Sequence, residues 1–182
     1  SGNNSDVTEP QNEFRPIPTS GLSFKATITT TSGDDTYTGI MQYDHESGNV
    51  SYASETEGQK TLTIYTSDAY YLCSTETECI KYANNQIGAN SFNPDNYQYT
   101  DEDFTDFKNS AHYEGKKECP AGTCDVWKVT KDNIDTMIYL DVETMRISQV
   151  EGSTPTGSSK IVYEFMDVRV EPPANAQEIN LP

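Results

Sequence analysis

Two short cysteine pairs constrain the fold of this chain more than any other feature of its sequence. Cys73 and Cys79 enclose the polar residues STETE, with aromatic and aliphatic residues on both sides. The flanks favour extended backbone and the centre favours a turn, so the stretch predicts a β-hairpin. The two residues that flank a hairpin loop lie about 4.5 to 5.5 Å apart between Cα atoms, a distance that a disulfide accepts.

The second pair, Cys119 and Cys124, encloses Pro-Ala-Gly-Thr, which is turn chemistry. Four cysteines allow three pairings, and the two local ones need the least rearrangement of the chain. Free thiols and a metal site with four cysteine ligands are the alternatives. The spacings of five and four residues, and the distance of His45 and His112 from either pair, favour disulfides over a metal site. Disulfides imply an oxidising compartment.

The charge balance limits the partners of the chain. It has 29 acidic and 12 basic residues, a formal net charge of −17, which repels phosphate backbones and anionic membrane surfaces. We therefore expect no nucleic-acid partner. No apolar run approaches the length of about 18 residues that a membrane span needs.

The first 20 residues differ in character from the rest. They are polar and contain three prolines, which predicts a flexible tether over residues 1–20 and a single β-rich domain over residues 21–182. Such a tether is typical of a lipoprotein just after its acylated cysteine, and that anchor would lie outside this chain. We expect a monomer that contacts a membrane only through such an anchor.

The remaining chain alternates apolar and polar residues in short segments. Leu22, Phe24, Ala26 and Ile28 share one face of a first strand, and the whole pattern predicts nine or ten antiparallel strands joined by polar turns. One segment changes period, because Thr100 is a helix cap before three acidic residues, and Phe104 and Phe107 follow on one stripe. We predict one or two short helices.

Signatures of catalysis are missing from the sequence. It contains no GxSxG motif and no glycine-rich phosphate loop, and His45 and His112 have no convincing partner. The acidic stretches at residues 34–35 and 101–103 do not match a twelve-residue calcium loop. We predict a non-enzymatic protein with no cofactor, no metal and no catalytic residue. A hydrolase with unrecognised carboxylates is the remaining enzymatic reading.

The C-terminal half contains a series of turn and strand patterns after the predicted helix. These are a glycine, a C-x-V-x-x-V strand, a Y-x-D-x-x-T hairpin and a final Y-x-F-x-D strand that leads to a proline. They lie at Gly115, Cys124, Val126, Val129, Tyr139, Asp141, Thr144, Tyr163, Phe165, Asp167, Val170 and Pro173. In these patterns the chain resembles the periplasmic lipoprotein carriers of the LolA/LolB-like superfamily, and the resemblance extends loosely over residues 22–182.

The resemblance implies a mainly β (α+β) fold, in which a large curved antiparallel sheet forms a half-open barrel around one or two short helices. It also implies an exported, lipid-anchored protein of the bacterial cell envelope or surface, with a lipid or other hydrophobic ligand on the concave face. The alternative is a displayed interaction module with a filled core. The candidate lining residues are Phe24, Ile28, Met41, Leu62, Ile64, Leu72, Trp127, Ile138, Leu140 and Phe165.

Overall fold

The computed structural model describes residues 12–83, 93–131 and 133–179. These residues form twelve strands, one α-helix and one turn of 3₁₀-helix at Pro94–Tyr97. The first six strands are β1 (Phe24–Ser32), β2 (Asp35–Tyr43), β3 (Val50–Thr56), β4 (Gln59–Tyr65), β5 (Ala69–Cys73) and β6 (Cys79–Ala83). After them come α1 (Asp101–Lys108), β7 (His112–Cys119), β8 (Gly122–Lys131), β9 (Ile134–Asp141), β10 (Ile147–Thr154), β11 (Gly157–Phe165) and β12 (Gln177–Glu178).

All twelve strands belong to one open sheet, in the order β12-β6-β5-β4-β3-β2-β1-β11-β10-β9-β8-β7. Every pairing is antiparallel except the short one between β12 and β6. Sequence neighbours are also spatial neighbours along both halves of the sheet, and β1 joins the halves by pairing with β11. The predicted mainly β fold with a large, half-open antiparallel sheet is confirmed.

The disulfides join Cys73 to Cys79 and Cys119 to Cys124, which confirms the two local pairings. Cys73 and Cys79 face each other directly in the β5–β6 ladder, with 4.0 Å between their Cα atoms. The second bridge is diagonal, because Cys119 pairs with Gly122 in the ladder, and its Cα atoms are 5.9 Å apart. The two bridges therefore cross-link the outermost hairpins at opposite edges of the sheet.

The helix α1 begins where the sequence predicts. The Thr100 hydroxyl accepts a hydrogen bond from the Asp103 N–H at 3.3 Å, and the Asp103 carboxylate accepts one from the Thr100 N–H at 2.8 Å. This reciprocal capping satisfies donors that a helix start leaves unpaired. Phe104 is buried, and Phe107 packs against the same cluster. We call the sheet face under this helix the inner face.

The outer face is covered in part by the chain that follows β11. The strand β11 ends at Phe165, and the backbone then leaves the sheet. Val168 and Val170 then pack against Ile64 and Tyr71. The buried Asp44 carboxylate fixes this segment by accepting the Val170 N–H at 3.2 Å. The end of the chain adds β12 beside β6, which agrees with the predicted position at the sheet rim.

Residues 12–20 differ from the predicted tether. Phe14 is 5 % exposed and belongs to the main core, and Thr19 is 1 % exposed. The Ile17 N–H donates to the Met145 carbonyl at 2.9 Å, and the Thr19 N–H donates to the Tyr99 carbonyl at 3.0 Å. This part of the segment is thus packed against the domain. The rest of the predicted tether, residues 1–11, lies outside the described residues.

Candidate functional site

The inner face changes composition along the strands. Residues directly opposite in a ladder share a face, and every second residue along a strand returns to it. Phe24 pairs with Tyr43 and Phe165, so these side chains mark one end of the face. From there the inward positions of β1 read Phe24, Ala26, Ile28, Thr30, Ser32, and those of β11 read Phe165, Tyr163, Ile161, Ser159, Gly157. Large apolar side chains thus give way to hydroxyls and glycine.

The apolar end of the inner face is filled by the protein itself. Phe14 lies against Trp127 and Phe104, with ring centroids 5.4 and 6.1 Å apart. Phe24 contacts Tyr43 and Tyr163, both with centroids at 5.6 Å. These rings join the N-terminal segment, α1 and the sheet into one cluster, so this part of the concave face is core.

Most of the predicted lining residues belong to this core. Phe24, Met41, Trp127, Ile138 and Leu140 are buried in it, and Ile28 and Phe165 pack against it. Leu72 lies on the inner face, since its ladder row contains Thr63, Tyr52 and Met41, and it is 37 % exposed. Their role as ligand contacts stays a prediction.

Leu62 and Ile64 do not lie on the inner face, which corrects the predicted set. Their neighbour Tyr65 pairs with Val50, and Val50 pairs with Tyr43 of the inner face. The alternation of side chains along a strand therefore turns Ile64 and Leu62 outward. There they pack in the outer cluster with Val168 and Val170.

A cavity of about 590 Å³ opens at the other end of the inner face. We call it the hairpin-end cavity, because it lies where the β1–β2, β8–β9 and β10–β11 hairpins turn. Its apolar walls are Tyr99, Phe107, Ile134 and Val150. Its remaining walls come mainly from small and hydroxyl-bearing residues, among them Thr30, Ser32, Thr136, Gly152 and Ser159. None of the ten predicted lining residues borders it.

The small residues explain why this end stays open. A Cβ at Gly152 would meet only the Ser159 Oγ, at 3.4 Å, so a side chain there would project into free space. Gly157 has a different role, because a Cβ there would lie 2.2 Å from the Thr31 carbonyl oxygen. It allows β11 to approach β1 closely at the edge of the cavity.

Tyr99 stands at the boundary between the packed core and the cavity. Its ring stacks on Phe104 with centroids 5.8 Å apart, and another part of it borders the cavity. Burial raises the pKa of Tyr99 to about 12. Burial and the neighbouring Tyr99 also raise the pKa of Tyr163 well above its ordinary value, and the Tyr163 hydroxyl has no hydrogen bond of good geometry within the described residues.

Side chains that could ligate a metal ion are dispersed in the part of the chain that the structure describes. It contains no cluster of three or more His, Cys, Asp or Glu side chains fit to hold a metal ion. His45 contacts the Tyr43 hydroxyl at 3.2 Å, and the exposed His112 lies 4.0 Å from Glu114. Within the same ranges, the one α-helix is too short and polar to cross a bilayer.

No protein-family model matches the sequence, and curated proteins yield no match either. Solved structures do match. LprF from Mycobacterium bovis aligns over 86 % of this chain and 90 % of its own, with a TM-score of 0.58 at 11 % identity. The resemblance to the LolA/LolB-like superfamily is confirmed as a likeness of fold. The Mycobacterium tuberculosis lipoprotein LppX aligns over 83 % of this chain and 90 % of its own, with a TM-score of 0.54 at 8 % identity.

The sequence indicates the cavity through the size of the inward-facing residues, which the alternation of apolar and polar residues does not reveal. The inward positions at the ends of β1 and β10 are Thr30, Ser32, Gly152 and Thr154, none of which is large and apolar. Such a run at the end of an otherwise apolar face indicates a floor without side chains to fill the space above it. Tyr99 and Phe107 were visible as aromatic residues, but their position over this floor depends on tertiary packing.

Proposed function

We propose that this protein is a non-enzymatic binding protein of the bacterial cell envelope that holds a hydrophobic or amphiphilic ligand in the hairpin-end cavity. The observation that carries the proposal is the open cavity between α1 and the sheet, in a fold shared with LprF and the lipoprotein LppX. Its volume of about 590 Å³ is within the range of about 300 to 1,000 Å³ that is usual for small-molecule sites.

The lining determines the chemistry of the proposed ligand. Phe107, Ile134 and Val150 offer apolar surface, and Ile134 is 47 % exposed. Each methylene that a ligand buries there contributes about 0.8 kcal/mol. Thr30 and Ser159, which pair with each other on the inner face of the sheet, offer hydroxyl donors and acceptors. An amphiphile that has a short acyl or ring portion and a hydrogen-bonding group fits this division better than a purely aliphatic chain.

The proposal includes location and anchoring. Two disulfides support a position outside the cytoplasm. We propose that a lipid anchor precedes the polar N-terminal residues, that residues 12–20 pack onto the single domain predicted for residues 21–182, and that the protein is a monomer. The continuous sheet from β12 to β7 supports the single domain.

A cavity-filling substitution tests the ligand site. Gly152→Leu would place an isobutyl group in the cavity with little backbone conflict. Thr38→Leu is the matched control, since Thr38 is exposed and pairs with Thr29, which alternates outward beside Ile28. We expect the native protein and the control to bind an environment-sensitive fluorescent fatty acid with equal affinity. We expect Gly152→Leu to lose at least about tenfold in affinity, which corresponds to 1.4 kcal/mol.

Native mass spectrometry of protein purified without detergent complements this test. A mass increment that the wild type retains and Gly152→Leu loses supports the proposal. Equal probe affinity of the two variants would exclude the hairpin-end cavity as the site.

The second candidate is a displayed interaction module without a ligand. The close packing of Phe14 and Phe104 over Trp127 favours it, because the protein's own side chains fill the apolar end of the inner face. Absence of both a bound mass and probe binding in the wild type would favour this module over the carrier.

A further inference from the structure

A second feature lies at the opposite end of the inner face, in the turn between β9 and β10. The Asp141 carboxylate accepts the Thr144 hydroxyl at 2.8 Å and the Glu143 N–H at 3.0 Å, so the turn takes the form predicted from Asp141 and Thr144. Met145 has a positive φ of 59°, after which Arg146 leads into β10. The turn thereby fixes the position of Arg146 at the start of β10.

Arg146 differs from the other two arginines of the chain. Arg15 forms an ion pair with Glu13, Arg169 forms one with Glu46, and both arginine side chains are largely exposed at 72 % and 67 %. Arg146 has no carboxylate partner among the described residues, and its Nε is buried without a hydrogen-bond acceptor. This is unexpected in a chain of net charge −17, and a buried guanidinium N–H without an acceptor is costly.

A second unpartnered donor shares the space that Arg146 borders. Arg146, Thr144 and Ser148 line a cavity of about 480 Å³ beside the β7–β8 turn. Ser148 is 4 % exposed, and its Oγ has no hydrogen-bond partner within the described residues. Ser148 lies where the register between β9 and β10 shifts. At such an irregularity a side chain need not follow the inward–outward alternation of a regular strand.

Two carboxylates, Asp141 and Glu164, line the same cavity as Arg146, and both have partners of their own. Asp141 is held within its own turn, and Glu164 lies 3.5 Å from the Lys25 amine. In the neighbouring cavity, which Arg146 also borders, Glu46 is bound to Arg169, and Asp167 is a further carboxylate that forms no ion pair with Arg146. The Arg146 guanidinium is thus the cation near these cavities that keeps its hydrogen-bonding capacity.

We propose that Arg146 and Ser148 form a local binding site for a phosphate group, either as a free anion or as the headgroup of an anionic lipid, against the long-range repulsion that the net charge of −17 exerts on anions. A guanidinium offers paired donors that match phosphate oxygens, and a hydroxyl supplies a further donor to a tetrahedral anion. The site lies across the filled core from the hairpin-end cavity. The phosphate proposal does not depend on the ligand proposed for the hairpin-end cavity.

Titration of isotopically labelled protein, followed by backbone amide resonances, tests the site. One arm uses inorganic phosphate, and the other uses phosphatidylcholine vesicles with and without phosphatidylglycerol. We expect saturable shifts at residues 144–148 and 162–165. Arg146→Gln should weaken binding at least about tenfold, and Ser148→Ala should weaken it about fivefold. Arg169→Gln, which removes a surface arginine of equal charge, should leave the affinity unchanged.

The two arms separate the sources of the phosphate group. Saturation by inorganic phosphate assigns a free anion, whereas a response confined to phosphatidylglycerol vesicles assigns a lipid headgroup. Equal weakening by Arg146→Gln and Arg169→Gln would overturn the proposal, since nonspecific charge would then explain the binding. So would the lack of a saturable response in both arms. Unchanged dispersion of distant amides shows that each variant is folded.

Discussion

The two ends of the inner face are formed by the same sheet, but one end is packed with side chains and the other is open. At the end marked by Phe24, aromatic rings from the sheet, α1 and the N-terminal segment fill the space. At the end marked by Thr30 and Gly152, the floor consists of small and hydroxyl residues, and a cavity of about 590 Å³ remains. One sheet therefore supports a packed core at one end and an open cavity at the other. The difference lies in side-chain volume, because the backbone pairing is continuous.

The largest expected effect on stability comes from removing a buried aromatic ring at the packed end. Phe104→Ala should lower the free energy of unfolding by about 3 to 5 kcal/mol, because it removes a buried ring from between Phe14 and Tyr99. Phe107→Ala is the matched control on the same helix, since Phe107 borders the cavity, and it should cost about 1 kcal/mol or less. Urea unfolding measures both, and equal losses would contradict the division into two ends.

The next effect concerns acid and the outer-face segment that Asp44 holds near the packed end. Burial acts to raise the pKa of Asp44, but hydrogen bonds from Val170, Ser47 and Glu46 outweigh it and lower that pKa below 3.8. The stabilisation is therefore present above about pH 4 and is lost as the pH falls through the lowered pKa. Asp44→Asn should cost about 1 to 3 kcal/mol at pH 6 and much less at pH 3.

Hydrogen exchange locates the acid effect. Acid should lower the protection of the Val170 amide before that of β10 near the cavity. Simultaneous loss of protection in both regions would show that the two ends do not open separately.

A smaller effect is expected in alkali at the boundary between the ends. The pKa of Tyr99 is raised to about 12, so the folded protein keeps its phenolic proton while the unfolded chain loses it from about pH 10. Stability should fall between pH 10 and 12. Tyr99→Phe should reduce that fall and remove a late component from the tyrosinate absorbance, and an unchanged absorbance curve would contradict the burial of this hydroxyl.

The smallest effect is expected at the open end. Thr30→Val keeps the shape of a side chain on the cavity wall, so stability should change by no more than about 0.5 kcal/mol. Affinity for a fluorescent fatty acid should fall, because the ligand loses a hydrogen-bond partner on the cavity wall. A clear loss of stability would indicate that Thr30 is part of the core.

Local features of the fold were predictable from the sequence, because their causes are local. The hairpin at Cys73 and Cys79 and the cap at Thr100 each depend on residues within a few positions of one another. The strand β7 was missed because its sequence HYEGKKEC is charged. It is an edge strand, and charged side chains on an edge discourage pairing with other chains.

The site was less predictable because it depends on which face of each strand points inward. Alternation in β4 separates Ile64 from Tyr65 but does not say which of them faces α1. The register with Val50 decides that, and it places Ile64 outside. Phe14 was similarly hidden, since a single aromatic residue among prolines has no periodic pattern, although the assembled sheet buries it.

The positions of the two bridges bear on how this chain matures. Each joins cysteines only six or five positions apart, within one hairpin. In an oxidising compartment, each hairpin can oxidise as soon as it forms, before distant strands have met. Correct cross-linking would then need no reshuffling by an isomerase, and the two margins of the sheet would be secured before its middle is assembled.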